Sequence, residues 1–492
     1  MVGYFQKGIS MKWSLTFVFL FVISCAHAQP KSEEVELKSD LSKKISRLIQ
    51  KSPVSASDLG ILIKRKTDTG IKTVYSINST KKLNPASLTK ILTASTVLNT
   101  IALDHKFKTI LSSSAKVEDG VLKGDLYLVG GGDPGFVSES MWVLVNHFTR
   151  SGIKKVEGNI IVDDHFFDQQ RFDPSRGDER VSRAYDSPIG AMSFNWNSVN
   201  VYVRPTQVGK QAKITLDPVS DYLNVRGEVK TVAPGKGTKV NVARIKNGEN
   251  KNTILISGRI ESNDPEKVVY RSITHPDYWS GEQLKGFLKQ RDITVTGQVV
   301  KGHTPNGAEV LAEVESKPIA EIVKDIMKFS NNYVAEMMTK NLAAYKGHTP
   351  GNMAWGLQLI REQLEAFGLK DGKDFKLVNP SGLTRINRVT PQAMVKVLDQ
   401  IKNAFPIYPE YLSSLPIGGF DGTLKNRFKD VKGWVRAKTG LLSGVCGLAG
   451  YASNPQGLEY DFAMIYNGPN RHRWSAQKLF DEIAAELVTY RE

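Results

Sequence analysis

Two changes of texture along this chain restrict its fold more than any other feature. Residues 59–78 read as a β-hairpin: Ile61-Leu62-Ile63, a turn at Asp68-Thr69-Gly70, then alternating Ile71, Thr73, Tyr75 and Ile77. A helix is expected from about Ser87, with Ile91, Leu92, Ser95 and Leu98 spaced for one face. Beyond about residue 108, short strand-like runs separated by Gly, Asp and Asn take over. They fall at 122–129, 158–162, 199–203, 240–245, 253–260 and 293–300. Helical spacing returns at Pro318, read as a first-turn proline, with Ile319, Ile322, Val323, Ile326 and Met327 on one face. It continues over 333–345, 352–367 and 390–404. Strand signal resumes at 434–437, 445–451 and 460–466, and an amphipathic helix is expected over 474–490. The two ends therefore form one α/β domain (36–107 and 305–492). It is interrupted by an inserted β-rich domain (108–192 and 273–304) with a second insertion nested in it (193–272).

A chain of 492 residues is too long for one ordinary core, which agrees with this division. The first 28 residues stand apart. Lys7 and Lys12 precede an apolar run from Trp13 to Ile23, and Ala26-His27-Ala28 supplies a small-x-small cleavage site. This is a secretory leader, so the expected location is the periplasm or cell envelope. Val22-Ile23-Ser24-Cys25 resembles a bacterial lipobox and makes Cys25 a candidate lipid anchor; cleavage before Gln29 is the competing reading. Cys446 is the one cysteine left in the mature chain, so no internal disulfide is expected. The net charge is +16, of which the leader lysines contribute two. Such an excess favours an anionic counterpart. Zinc-ligand spacing, an RNA-binding aromatic signature and a concentrated basic arm are all missing, so an anionic envelope fits better than nucleic acid.

Three short elements carry chemistry. Ser87-Leu88-Thr89-Lys90 puts a lysine three residues after a serine, on the same helical face. A lysine amine kept neutral by burial or nearby positive charge accepts the proton of such a hydroxyl and makes it a nucleophile. Helix-start N–H groups would also face the oxygen where negative charge develops. Ser330-Asn331-Asn332, read at the end of the helix begun near Pro318, offers a hydroxyl for proton relay and an amide to hold a substrate amide. Lys438-Thr439-Gly440 leads into a strand and offers a cation, a hydroxyl and a glycine permitting close approach of an extended peptide. Each element alone is common in solvated helices, caps and strand ends. In this order and setting they are the set of penicillin-binding proteins and class A β-lactamases.

The chain resembles the class C low-molecular-mass penicillin-binding proteins, the D-alanyl-D-alanine carboxypeptidase/endopeptidase family. The likeness extends to Gly130-Gly131-Gly132-Asp133-Pro134, to the segment 158–164, to Ser381-Gly382-Leu383-Thr384-Arg385 and to Asp421-Gly422-Thr423-Leu424. About 240 residues separate the first motif from the second, room for the large insertion of this class. The resemblance implies an α/β (α+β) penicillin-recognising serine transpeptidase/β-lactamase-like domain with a β-rich insertion of one or two small domains. It implies Ser87 as acylated nucleophile, Lys90 as general base and Ser330 as proton donor to the leaving D-alanine nitrogen. It further implies Asn332 on the acyl-side amide, Lys438 and Thr439 at the terminal carboxylate, and the N–H groups of Ser87 and Leu441 as oxyanion hole. Gly440 completes the substrate strand. Arg385 is a second candidate for a carboxylate, or a loop brace. The expected substrates are peptidoglycan peptides, with β-lactams as inhibitors and no cofactor. At Leu441 the chain departs from the family, which has Thr or Ser there, and a hydroxyl for the carboxylate is lost.

Other readings are weaker. Gly130-Gly131-Gly132-Asp133 is not followed by Gly-Lys-Ser/Thr and reads as a tight turn rather than a phosphate loop. The eight histidines show no paired ligand spacing, so no metal is expected. Tyr185 is read as a core aromatic before a substrate contact. A β-lactamase would need a deacylating Glu in a Glu-x-x-Leu-Asn loop, which the sequence does not contain. A non-catalytic wall-binding scaffold would keep the fold but has no need of the full set of catalytic side chains.

Overall fold

The computed structural model describes residues 40–68, 70–176, 182–247 and 250–491. The leader over 1–28, with Cys25, lies outside them. Ten helices are used below: α1 (Asp40–Lys51), α2 (Thr89–Thr100), α3 (Ser138–Thr149), α4 (Pro276–Lys289), α5 (Ile319–Lys328), α6 (Asn332–Tyr345), α7 (Met353–Ala366), α8 (Pro391–Lys402), α9 (Tyr408–Ser414) and α10 (Arg473–Thr489). Seven strands position the sites: β1 (Leu59–Thr67), β2 (Gly70–Ile77), β3 (Ile160–Asp163), β4 (Val299–Lys301), β5 (Val435–Leu442), β6 (Val445–Ser453) and β7 (Glu459–Asn467). No described helix is long and apolar enough to cross a membrane.

An antiparallel sheet in the order β2-β1-β7-β6-β5 divides two helical layers. Alternation along β1 sends successive side chains to opposite faces. Ile61 and Ile63 join α1 and α10 in one hydrophobic cluster, while Leu62 joins α2 and α5 to α9 in the other. With a helical layer on each face, β6 is buried from Val445 to Ala452 and reads as a continuous apolar run rather than an alternating one. Helix α2 is buried from Thr89 to Leu98, so its polar residues, Lys90 among them, lie inside the helical layer. β5 is the edge of the sheet, and that edge carries Lys438, Thr439 and Gly440.

Between α2 and α5 the chain builds a separate hydrophobic cluster. A five-stranded sheet runs Val299–Lys301, Ile160–Asp163, Leu126–Gly130, Lys108–Ser113 and Glu309–Glu315. The last of these strands, expected in the second catalytic segment (305–492), pairs instead with Lys108–Ser113, so the insertion's sheet extends past 304. Two three-stranded sheets follow between Ser198 and Ser272. The β-rich reading also overlooks α3 and α4. Helix α3 carries its signal openly, since Met141, Leu144, Val145 and Phe148 recur at helical spacing and are buried. Proline 318, expected inside the first turn of α5, is instead the residue that precedes it.

Candidate active site

The Ser87 segment is not the regular helix start expected. Ala86–Leu88 form one 3-10 turn, and α2 begins at Thr89. Ala86 has φ 46°, a left-handed conformation that costs a residue with a Cβ on the order of 1–3 kcal/mol. Its surroundings hold it there: the Ala86 N–H donates to Asn84 Oδ1 at 2.9 Å, and its carbonyl accepts from Thr89 Oγ1 at 2.8 Å. The turn lies directly on the sheet because Gly440 and Gly447, paired across β5 and β6, have no side chains there. A Cβ at Gly440 would stand 2.6 Å from the Pro85 carbonyl oxygen, and one at Gly447 2.6 Å from a Leu88 methyl carbon. Gly440 thus admits the Ser87 turn, in addition to any extended substrate.

Lys90 is fully buried. Its Nζ lies 2.6 Å from Asn332 Oδ1, 2.5 Å from the Ser381 carbonyl and 3.2 Å from Ser87 Oγ. A neutral amine has two N–H donors and one lone pair. The Asn332 amide oxygen and the Ser381 carbonyl oxygen can only accept, so in the neutral amine they take the two N–H groups and leave the lone pair for the Ser87 hydroxyl. Burial, followed by the positive charge of Lys438, lowers the Lys90 pKa well below the usual lysine range; Glu336 opposes this and Arg176 adds to it. Glu336 sits one turn after Asn332 on α6 and is completely buried. It accepts from Ser381 Oγ at 2.8 Å and from Arg176 Nε at 3.1 Å, and Arg176 also donates to Asp186 at 2.8 Å. The sequence reading did not include Glu336 or Arg176. The i, i+4 spacing from Asn332 to Glu336 was the available signal; nothing local marks Arg176.

Ser330 and Asn331 form the link between α5 and α6, rather than the end of α5. Ser330 has φ 56°, and the Asn331 side chain caps α6 by accepting from the Val334 N–H at 3.2 Å. Lys438 Nζ donates to Ser330 Oγ and to the Thr439 carbonyl, each at 2.8 Å, and burial brings its pKa down to about 7. Thr439 Oγ1 is 2.9 Å from Thr423 Oγ1. The Thr423 loop is fixed to α5 by Lys328, which donates to Asp421 at 2.6 Å.

Ser87, Ser330, Thr423, Thr439, Gly440, Leu441 and Trp474 are among the residues that line one cleft of about 430 Å³. On β5 the Ala437 N–H points away from β6, to the Pro416 carbonyl. The two-residue alternation of an antiparallel strand puts the N–H of Leu441 on that same free edge. Leu441 itself is 45% exposed, so its side chain offers the cleft an apolar surface. Arg385 is exposed and donates to the Ser443 carbonyl at 2.7 Å; it braces a loop and is not among the residues lining the cleft. Tyr185, read as core, is 46% exposed, and its carbonyl accepts from Asn332 Nδ2 at 3.2 Å. Away from the cleft, Asp163, His165 and His303 converge as possible metal ligands, a grouping the local spacing of the histidines does not reveal.

Over residues 41–487 the chain matches the D-Ala-D-Ala carboxypeptidase 3 (S13) family. The chain belongs to that family. It is 31% identical over 471 residues to the D-alanyl-D-alanine carboxypeptidase of Actinomadura sp. (strain R39), covering 92% of this chain and 85% of the relative. It is 27% identical over 432 residues to the D-alanyl-D-alanine carboxypeptidase DacB of Haemophilus influenzae, covering 86% and 88%. The fold is that of penicillin binding protein 4 (dacB) from Haemophilus influenzae: TM-score 0.75 at 23% identity, over 91% of this chain and 99% of that one. A peptidoglycan endopeptidase of Bdellovibrio bacteriovorus shares it more distantly, with a TM-score of 0.53 at 16% identity over 88% and 95%. Like its S13 relatives, this chain is a serine-type D-Ala-D-Ala carboxypeptidase, a hydrolase.

Proposed function

We propose that the reaction runs through an acyl-enzyme on Ser87. The observation that carries this reading is the setting of Lys90: its buried Nζ lies 3.2 Å from Ser87 Oγ and against the oxygens of Asn332 and Ser381, which engage two N–H groups and, once the amine is neutral, leave its lone pair for the Ser87 hydroxyl. Lys90 takes the Ser87 proton as Oγ attacks the carbonyl carbon of the penultimate D-alanine. The oxyanion is held by the N–H groups of Ser87 and Leu441. As the tetrahedral species collapses, the C–N bond breaks and Ser330 gives its proton to the leaving nitrogen; the proton taken by Lys90 restores Ser330. Lys438 and Thr439 receive the terminal carboxylate, with the Thr423 hydroxyl alongside, and Asn332 holds the acyl-side amide. Water then attacks the ester and releases Ser87. Since the 441 side chain gives no hydroxyl, Leu441 contributes through its backbone alone.

The same site would be acylated by β-lactams, as is an endopeptidase of Bdellovibrio bacteriovorus that shares the fold and carries a penicillin G acyl group. The substrate is placed in the cell wall, reached by export to the periplasm or envelope with Cys25 as a candidate anchor. The three-part division of the chain, with the insertion extended to Glu315, assigns the catalytic groups to the outer two segments. The test is acylation of the purified mature protein by a fluorescent penicillin, read on a gel and by mass spectrometry. The expected result is one adduct on Ser87, lost in Ser87→Ala. An adduct elsewhere, or none on folded protein, refutes the assignment and favours a non-catalytic wall-binding role.

A further inference from the structure

The parallel strands β3 and β4 are neighbours in register, Val162 beside Lys301, so the residues just beyond their ends emerge side by side. The Gly302 N–H donates to the Val162 carbonyl at 3.2 Å, and the Thr304 N–H to Asp163 Oδ2 at 2.7 Å. Those bonds fix where His303 stands. From the other strand, the His165 N–H donates to Asp163 Oδ1 at 3.2 Å, and His165 Nδ1 lies 3.0 Å from the same oxygen. The His165 and His303 rings stack with centroids 3.2 Å apart and planes 20° from parallel. One ligand atom from each of Asp163, His165 and His303 lies within 4.8 Å of the others.

We propose that Asp163, His165 and His303 form a binding site for a borderline divalent transition metal, of which Zn²⁺ is the type. Two imidazole nitrogens with one carboxylate oxygen are a donor set for zinc, nickel or copper, whereas calcium and magnesium select oxygen alone. Bonds of about 2.0–2.1 Å at tetrahedral angles place ligand atoms about 3.3 Å apart, so an ion could replace the proton of the 3.0 Å hydrogen bond between His165 Nδ1 and Asp163 Oδ1 with little movement of either side chain. The bond from the Thr304 N–H engages Oδ2 and so orients Oδ1 as the ligand, the outer-shell support that metal carboxylates generally have. Both histidines face solvent, so a bound ion keeps at least one position for water. The site would join two strand ends of the insertion, acting as a clip on that sheet.

The experiment is titration of metal-stripped full-length mature protein with Zn²⁺ against a zinc-binding chromophore, alongside thermal melting with and without Zn²⁺. The expected result is one Zn²⁺ per chain, and a melting midpoint that Zn²⁺ raises as binding to the folded state alone requires. His165→Ala and His303→Ala should each weaken binding by at least about tenfold, the lower bound seen even for outer-shell changes at metal sites. Both variants should still be acylated by penicillin, which shows that they are folded. Absence of zinc binding at micromolar concentrations overturns the proposal. So does binding that neither substitution weakens, because the ion then sits elsewhere.

Discussion

At Lys438 and Lys90 one low-dielectric site holds two lysines whose tasks need opposite charge states. In the proposed mechanism Lys90 has to be neutral to accept a proton, and Lys438 has to be charged to hold a carboxylate. Burial moves both pKa values down, and Lys90 also feels the positive charge of Lys438. With the Lys438 pKa at about 7, its amine is cationic below that pH and neutral above it. The kcat/KM for a substrate ending in a free D-alanine carboxylate should therefore fall as pH rises through about 7, because kcat/KM reports free-enzyme groups. For a matched substrate amidated at that carboxylate, the alkaline fall should be absent. The acid limb, set by protonation of Lys90, should be common to both. Parallel pH profiles of the two substrates check this, and an alkaline limb shared by both would assign it to a group other than the carboxylate's partner.

At the scale of elements, the decisive contact is the Ser87 turn lying on the β5 edge. Gly440→Ala is expected to push the Pro85 carbonyl away, since the new Cβ would meet backbone rather than a flexible side chain. Overpacking of this kind costs about 1–3 kcal/mol. Because the displaced atoms adjoin Ser87, the proposed nucleophile, the acylation rate should fall by more than the loss of stability accounts for. Stopped-flow acylation and thermal melting of the same variant measure the two. The sequence made much of this arrangement legible: the hairpin, the order of the three motifs and the return of strand signal near residue 434 all come from local patterning. It did not reveal the Arg176–Glu336–Ser381 network, whose members lie far apart in the chain and meet only through packing. Nor did it place Tyr185, because a lone tyrosine carries no periodicity to separate core from surface. The helices α3 and α4 were missed for another reason: strand runs on both sides drew the whole region into one class.

At the scale of the molecule, β1 is a central strand, held between β2, its neighbour in sequence, and β7, almost 400 residues later. The cluster beneath the insertion's sheets, in contrast, draws on residues no later than Val314. Contacts so distant along the chain are slow to form, because the loop between them must first be closed. The order of sheet assembly is therefore expected to delay the active site of the hydrolase. The insertion can complete its core while β1 still has one side unpaired, and the edge that carries Lys438 is seated only when β5, β6 and β7 arrive together. During refolding followed by pulsed hydrogen exchange, amides of the insertion should gain protection before those of β1 and β7, and penicillin acylation should appear with the latter. Early joint protection of both regions would show that no such order exists. On this order the first hundred residues form no competent site by themselves, although Ser87 and Lys90 are among them, and cutting of wall peptides is expected only after the last strand is in place.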